Sequence, residues 1–205
     1  LNTWHYSYDL IVVDAGSKDL TSSISKIQGA NVITTHKQNR GHQLRIGASE
    51  AKGEWLLFLH ADSRLDPSWG NSLLKIMDNK TSKDSIWYFD FKIRKNNLEF
   101  RILEIAVAFR SYFLQRPYGD QGLLIHKDLY YFSRGFSSLK IMEDLDFITR
   151  ITKTKRARRI RENIYTDDRQ WVKSNIFRRA IKNAKLRRKW RLGHNVEHLS
   201  KEYYS

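Results

Sequence analysis

Apolar residues along this chain come in short dense runs, and the polar stretches between them carry apolar residues at helical spacing. Tyr8 to Asp14, YDLIVVD, is a β-branched run that breaks at the turn Ala15-Gly16-Ser17-Lys18-Asp19 and leads into a helix to about Gln28. Asn31 to Thr35 predicts a second strand. After the polar loop 36–41, Leu44, Ile46, Ala48 and Ala51 fit a helix closed by Gly53. Glu54 to Leu59 is a third strand, continuous rather than alternating, as expected of a strand covered on both faces. Beyond Pro67 the pattern predicts a helix to about Asp78, a strand over 85–93, a helix near 98–114, a loop over 117–122 and a short strand over 123–126. A helix over 143–152, a strand over 158–165 and a basic helix over 175–191 complete it. Alternating strands and helices imply an α/β fold with a mostly parallel, wound sheet flanked by helices.

Composition narrows the function classes. With 205 residues, 40% of them apolar, the chain can bury one sizeable core, and nothing in it reads as a repeat or an interdomain linker. We therefore expect a single domain over 1–205, with 172–205 as a basic helical extension. The absence of cysteine excludes disulfides, zinc-thiolate sites and a cysteine nucleophile, and is compatible with the cytoplasm. No apolar run approaches the roughly 20 residues that span a bilayer. The net charge of +15 is concentrated at one end, since residues 151–205 hold 17 Lys and Arg against 5 Asp and Glu. Such a tail suits a nucleic acid, an anionic lipid surface or a phosphorylated substrate.

Chemistry enters where strands end. In open wound sheets ligands bind beyond the carboxyl ends of the strands, and two strands here deliver an Asp to that edge: Asp14 after LIVV, and Asp62 in WLLFLHAD. The plain alternative is that each Asp caps the turn or helix that follows it. Two carboxylates at equivalent strand ends, with the acidic pair Glu143-Asp144 opening a later helix, favour a site.

At these residues the sequence resembles glycosyltransferase family 2, of the GT-A fold, and more narrowly the small bacterial subgroup associated with radical-SAM and arsenosugar genes. The matching segments are VVDAGSKD at 12–19, NRGHQLRIGASEAKGEWLLFLHADSRLDP at 39–67, YGDQGLLIHK at 118–127, MEDLDFITRI at 142–151 and DRQW at 168–171, in family order.

The resemblance implies a nucleotide-diphosphate-sugar donor and a Mg²⁺ or Mn²⁺ that bridges its phosphates and a protein carboxylate. Asp62 is then the metal ligand, in the variant His60-Ala61-Asp62 of the family's Asp-x-Asp, with His60 a second candidate. Asp14 would meet the base or ribose, while Ser17 and Asp19 fix the turn. Arg40 would grip phosphate. Asp144 would be the general base of an inverting attack, with Glu143 beside it. Asp120 and Gln121 would order the sugar or acceptor. Arg169 and Trp171 resemble an Arg-Trp element that closes over acceptor and pyrophosphate. The family's first strand and helix, with a Pro…Asn-Glu motif, have no counterpart before Tyr8, and we expect an N-terminally truncated form.

Two other uses of the basic end remain open. Arg156, Arg158, Arg159, Arg178, Arg179, Arg187 and Arg188, interleaved with Trp171, Phe177 and Trp190, have the composition of a nucleic-acid surface, although no nucleic-acid motif accompanies them and no specific nucleic acid is expected. The helix at 175–190 gathers Ile176, Phe177, Ala180, Ile181, Ala184 and Leu186 on one side, with cations around them. That pattern suits peripheral contact with an anionic membrane on its cytoplasmic face, or docking of the stripe on the sheet.

Overall fold

The computed structural model describes residues 4, 6–95, 97–166 and 176–204. Its elements are β1 (Ile11–Asp14), α1 (Thr21–Ile27), β2 (Asn31–Thr34), α2 (Arg40–Glu50), β3 (Trp55–Phe58), β4 (Arg64–Leu65), α3 (Trp69–Met77) and a 3₁₀ turn (Lys80–Asp84). There follow β5 (Ser85–Ile93), α4 (Leu98–Phe113), a second 3₁₀ turn (Gly119–Gln121), β6 (Leu123–His126), α5 (Lys127–Phe132), α6 (Glu143–Ile151), β7 (Arg156–Thr166), α7 (Ile176–Arg191) and α8 (Val196–Tyr204).

The α/β reading holds, but the strand directions are mixed rather than mostly parallel. β1 and β2 form a parallel pair, and a five-stranded sheet has the order β3-β6-β5-β7-β4. Within it only β5 and β7 run parallel, while β3–β6, β5–β6 and β4–β7 are antiparallel. The physical reason is that a continuous apolar run reports burial on both faces and not direction. β6, LLIH, is buried at all four positions and is antiparallel to both neighbours.

Helices cover both faces of this sheet. Ala48 of α2, Leu129 and Tyr130 of α5, and Phe147, Ile148 and Ile151 of α6 pack with Leu56, Ile86 and Ile125. Another cluster sets Trp69, Leu73 and Ile76 of α3 against Phe89, Leu124, Ile160 and Ile164, and Trp4 stacks on Trp69 at 5.1 Å between ring centroids. α4 packs Phe100 and Val107 under Phe91 and Ile93 of β5. Its buried Glu104 accepts from the Ile93 N–H at 2.8 Å and pairs with Lys92 and Arg101, so the one charge inside that contact is matched.

The C-terminal helices dock away from the sheet. Leu186 of α7 and Leu199 of α8, both fully buried, close on Ile141, with Met142, Trp190, Val196 and Tyr203 around them. Ile181 and Ala184 of the expected stripe are exposed instead. Among the described side chains of that stripe, Leu186 is the buried one.

Candidate functional site

The site is built where the loop after α4 meets the start of α6. Gly119, at the head of the 3₁₀ turn, donates its N–H to Asp144 Oδ2 at 2.9 Å. A Cβ placed on Gly119 would lie 2.8 Å from His60 Nε2 and 3.3 Å from Asp144 Oδ2, so glycine leaves open the space between the imidazole and the carboxylate. His60 arrives from the end of β3 and Asp144 from the first turn of α6. With Phe58, Tyr118, Gly119 and Glu143 they line one cleft. Burial holds the His60 imidazole below its ordinary pKa, and Arg40 adds to the effect, which favours a neutral ring.

Arg40 begins α2, and three local features fix it. Asn39 caps the helix by accepting from the His42 N–H at 2.9 Å and donates its amide to the Ser138 carbonyl, while the Gly41 N–H donates to the Leu139 carbonyl at 3.0 Å. The helix start is thereby bound to the segment leading into α6. The Arg40 guanidinium hydrogen-bonds Glu143 Oε1 through Nε, and its Nη2 is 3.8 Å from Asp144 Oδ2. Burial would lower the Arg40 pKa, but Glu143 and Asp144 outweigh it and raise the value.

Glu143 is fully buried, and its Oε2 has no hydrogen-bond partner among the described residues. Desolvation first, and Asp144 second, push its carboxyl up to about 7. The residue before it, Met142, has φ 64° and ψ 13°, a left-handed conformation uncommon for a residue with a side chain. That bend aims the Glu143-Asp144 pair at the cleft.

The YGDQG segment divides its labour. Asp120 Oδ1 is buried without a partner among the described residues. Gln121 points inward: its Oε1 accepts from Ser111 Oγ at 2.6 Å and Arg110 Nη2 at 3.0 Å, and its amide donates to the Phe89 carbonyl. Gln121 is thus an internal tie between α4 and β5. Gly122 follows with φ 61° and ψ 157°, a region essentially reserved for glycine, and a Cβ there would come within 3.1 Å of Leu59 and Phe89. The turn that presents Asp120 has little freedom.

Two residues near this segment carried no distinguishing signal in the sequence. The Arg110 guanidinium lies 3.8 Å from the centroid of the Tyr118 ring, and that of Arg187, from α7, lies 5.2 Å from the same ring. Arg110 is anchored by the Arg116 carbonyl and Gln121. Arg187 is half-buried. Burial depresses its pKa, with Tyr118, Arg110, Asp120 and Asp144 as the next contributors, so it stands within the field of the site. It was one of seven arginines grouped as a candidate nucleic-acid surface. Arg159, another, is held bidentately by Asp90 at 2.8 and 2.7 Å, and Arg158 bonds Ser85 Oγ.

The remaining expected residues are spread. Asp62 is exposed, and among the described residues nothing hydrogen-bonds or ion-pairs with its carboxylate. Its charge is felt at His60. No group of three or more His, Asp or Glu among the described residues could hold a metal alone. A free carboxylate beside a neutral imidazole instead fits a hard cation that takes one or two protein ligands and completes its shell with phosphate and water. Asp14, at the end of β1, accepts from the Ser17 N–H, Ser17 Oγ at 2.5 Å and Ser22 Oγ at 3.0 Å, bonds that lower its pKa, Ser17 first. Asp19 accepts from the Thr21 N–H at 3.0 Å and so holds the turn that leads into α1. The hydrogen bonds of these three stay within their own turn and the start of α1. Arg169 and Trp171 lie outside the described residues.

The family model for glycosyl transferase family 2 matches residues 1–140. This chain belongs to glycosyl transferase family 2. Among solved structures, residues 1–349 of S. aureus TarS superpose with a TM-score of 0.60 at 13% identity, over 98% of this chain and 64% of that one. A mannosyltransferase from Pyrobaculum calidifontis, in complex with GDP-Man and Mn²⁺, gives 0.56 at 17% identity over 79% of this chain and 50% of that one. Glucosyl-3-phosphoglycerate synthase from Mycobacterium tuberculosis, with Mn²⁺, UDP and glucosyl-3-phosphoglycerate, gives 0.50 at 16% identity over 85% and 66%. The chain therefore spans about two thirds of the TarS structure and half of the mannosyltransferase. At these identities the likeness is one of fold, the GT-A type of this family 2 chain.

Proposed function

We propose that this family 2 chain transfers a sugar from a nucleotide-diphosphate sugar to an acceptor hydroxyl, with inversion at the anomeric carbon and Asp144 as general base. The observation that carries the reading is the open space at Gly119, bounded by Asp144 and His60 and backed by the Arg40–Glu143 pair. As the acceptor oxygen attacks the anomeric carbon, its proton passes to Asp144 and the bond from that carbon to the diphosphate oxygen breaks. The Gly119 N–H and Arg40 keep the Asp144 carboxylate oriented through that step. Arg40 is better placed to hold Glu143 and Asp144 than to leave them for a phosphate.

On the donor side, Asp14, Ser17 and Asp19 form a polar turn suited to the nucleoside. Asp62, assisted by His60, would hold Mg²⁺ or Mn²⁺ jointly with the diphosphate, and the chemistry such a cation supplies is neutralisation of the leaving charge. The relatives bound to UDP, GDP-Man and Mn²⁺ support this reading. Asp120, with its unpartnered oxygen, and Arg187 and Arg110 over Tyr118 line the acceptor side.

The test is a panel of nucleotide-diphosphate sugars with and without Mn²⁺ on the full-length protein, read by thermal shift and then by release of the nucleoside diphosphate. A donor that stabilises wild type only with Mn²⁺, and fails to stabilise Asp62→Ala, is the expected result. No stabilisation by any donor, with Asp62→Ala behaving as wild type, refutes the assignment.

A further inference from the structure

α4 has two apolar faces and a described partner for only one. Phe100 and Val107 pack under β5, as a core-facing helix should. On the other side Leu98, Ile102, Ile105, Phe109, Tyr112 and Phe113 stand exposed, followed by Leu114. Of the exposed residues in this helix, Glu99 alone is charged. Phe109, Tyr112 and Phe113 are 57%, 58% and 65% exposed. At roughly 150–250 Å² per aromatic side chain they alone offer water about 270–450 Å² of surface. That already equals the largest apolar patch of a typical soluble monomer, before the aliphatic residues are added.

We propose that this face of α4 is a membrane-docking surface that lies in the plane of a bilayer carrying anionic headgroups. The width of the face points to a lipid surface. At about 100° per residue, the exposed apolar positions from Tyr112 round to Ala106 cover roughly 120° of the circumference without a charge, and Arg101, at the border of that arc, is held by Glu104. A helix-to-helix seam is narrower, whereas a helix lying in a lipid interface buries a broad arc. Charge points to anionic lipid, because Arg94 and Arg116 flank the two ends of the helix. No helix among the described residues is long and apolar enough to cross a membrane, so α4 would lie on the surface.

Docking there has a geometric consequence. α4 runs directly into Pro117-Tyr118-Gly119, and its Arg110 touches the Tyr118 ring at the edge of the cleft. The acceptor side of the site would sit close to the lipid. This surface replaces α7 as the membrane contact: Leu186 of α7 is buried, and its Lys189 is paired with Glu202. The proposal stands on the surface alone and does not depend on the glycosyltransferase reading.

The test is flotation of full-length protein with phosphatidylcholine vesicles, with and without phosphatidylglycerol, at low and high salt. Wild type should float with the anionic vesicles and lose much of that binding in high salt. Ile105→Ser/Phe109→Ser, at exposed positions that leave the unfolding temperature unchanged, should reduce the bound fraction about tenfold or more. Lys185→Ser/Arg188→Ser on α7 should change it far less. In a second measurement, Phe109→Trp should blue-shift its fluorescence when anionic vesicles are added. Flotation of Ile105→Ser/Phe109→Ser equal to wild type overturns the proposal. So does failure of wild type to float, whether the protein then sediments as a monomer or as a dimer that the double substitution dissociates; the dimer would assign the face to a second copy of the chain. Donor binding in the thermal-shift panel is read separately, so either idea can fail without the other.

Discussion

Two glycines in one helix give a test with opposite signs. In α2, a Cβ on Gly41 would lie 2.0 Å from the Ser137 carbonyl oxygen, 2.9 Å from the Leu139 nitrogen and 3.1 Å from Glu143 Cβ. Unbonded heavy atoms of this kind rest near 3.5 Å, and the two closest neighbours are backbone, so no rotamer change can relieve the overlap. Gly41→Ala must push α2 away from the 137–143 segment and break the Gly41–Leu139 hydrogen bond. Overpacking costs about 1–3 kcal/mol and the lost bond about 1 kcal/mol, and the better helix propensity of Ala returns under 1 kcal/mol, leaving a loss of about 1–3 kcal/mol. For a chain of this size that lowers the unfolding temperature by roughly 2–12 °C. At Gly47 the same Cβ would meet only Val13 Cγ2 at 3.6 Å, an ordinary contact. Gly47→Ala should therefore gain about 0.5–1 kcal/mol from helix propensity alone. Thermal unfolding of both variants in one buffer, followed by donor binding with Mn²⁺, reads the difference. Gly41→Ala should also lose donor response, because Arg40 and Glu143 part with the helix. If the two substitutions shift the melt alike, the packing of α2 on the α6 approach is wrong.

Other consequences are narrower. Glu143, raised to about 7 against an unfolded value of 4.5, binds its proton more tightly when folded, so its contribution to stability is full below about pH 4.5 and is lost as pH rises to 7. Relative to Glu143→Gln, wild type should lose up to about 3 kcal/mol across that window in chemical denaturation, and a flat difference would refute the burial argument. Asp62→Asn, at an exposed position, should leave the unfolding temperature alone while abolishing the Mn²⁺-dependent part of donor binding by calorimetry; unchanged Mn²⁺ dependence would remove Asp62 from the metal role. Gly119→Ala, whose new methyl meets the tip of His60 rather than backbone, should destabilise little yet stop turnover in a nucleoside-diphosphate release assay. Full activity there would move the reacting groups elsewhere.

How much of this was legible in the sequence depends on what kind of interaction does the work. Local chemistry reads well: Ser17 and Asp19 sit in the turn after β1 and hydrogen-bond within it, and the run into His60 ends a strand at the cleft. Long-range direction does not. The apolar run of β6 is compatible with either orientation, and only its insertion between β3 and β5 makes both pairings antiparallel. Gln121 stands next to Asp120 in one motif, yet faces the interior, because the glycine at 122 turns the backbone between them and β6. A motif fixes which residues travel together and leaves open which way each one points.

The basic C-terminus is the case where composition misleads most. Read as charge, residues 151–205 describe a surface for phosphates or lipid, and their partners in space reverse much of that. Arg159 is held by Asp90, Lys189 by Glu202, and Arg187 turns in over Tyr118. The residue that decides the arrangement is Leu186, an apolar side chain among cations, which fixes α7 on Ile141. That contact adjoins Met142, where a left-handed backbone costs on the order of 1–2 kcal/mol and persists only if its surroundings hold it. Trp190, Val196 and Tyr203 pack around this bend, and Tyr203 also reaches the field of Arg40. The C-terminal helices thus brace the bend that aims Glu143 and Asp144, and the same docking brings Arg187 to the cleft. Leu186→Ala should therefore do two things at once: loosen α7 and α8, at a cost of about 2–5 kcal/mol, and weaken donor response without touching a site residue. Hydrogen exchange that accelerates in α7 and α8 while the donor response stays intact would show that the bend at Met142 stands without them.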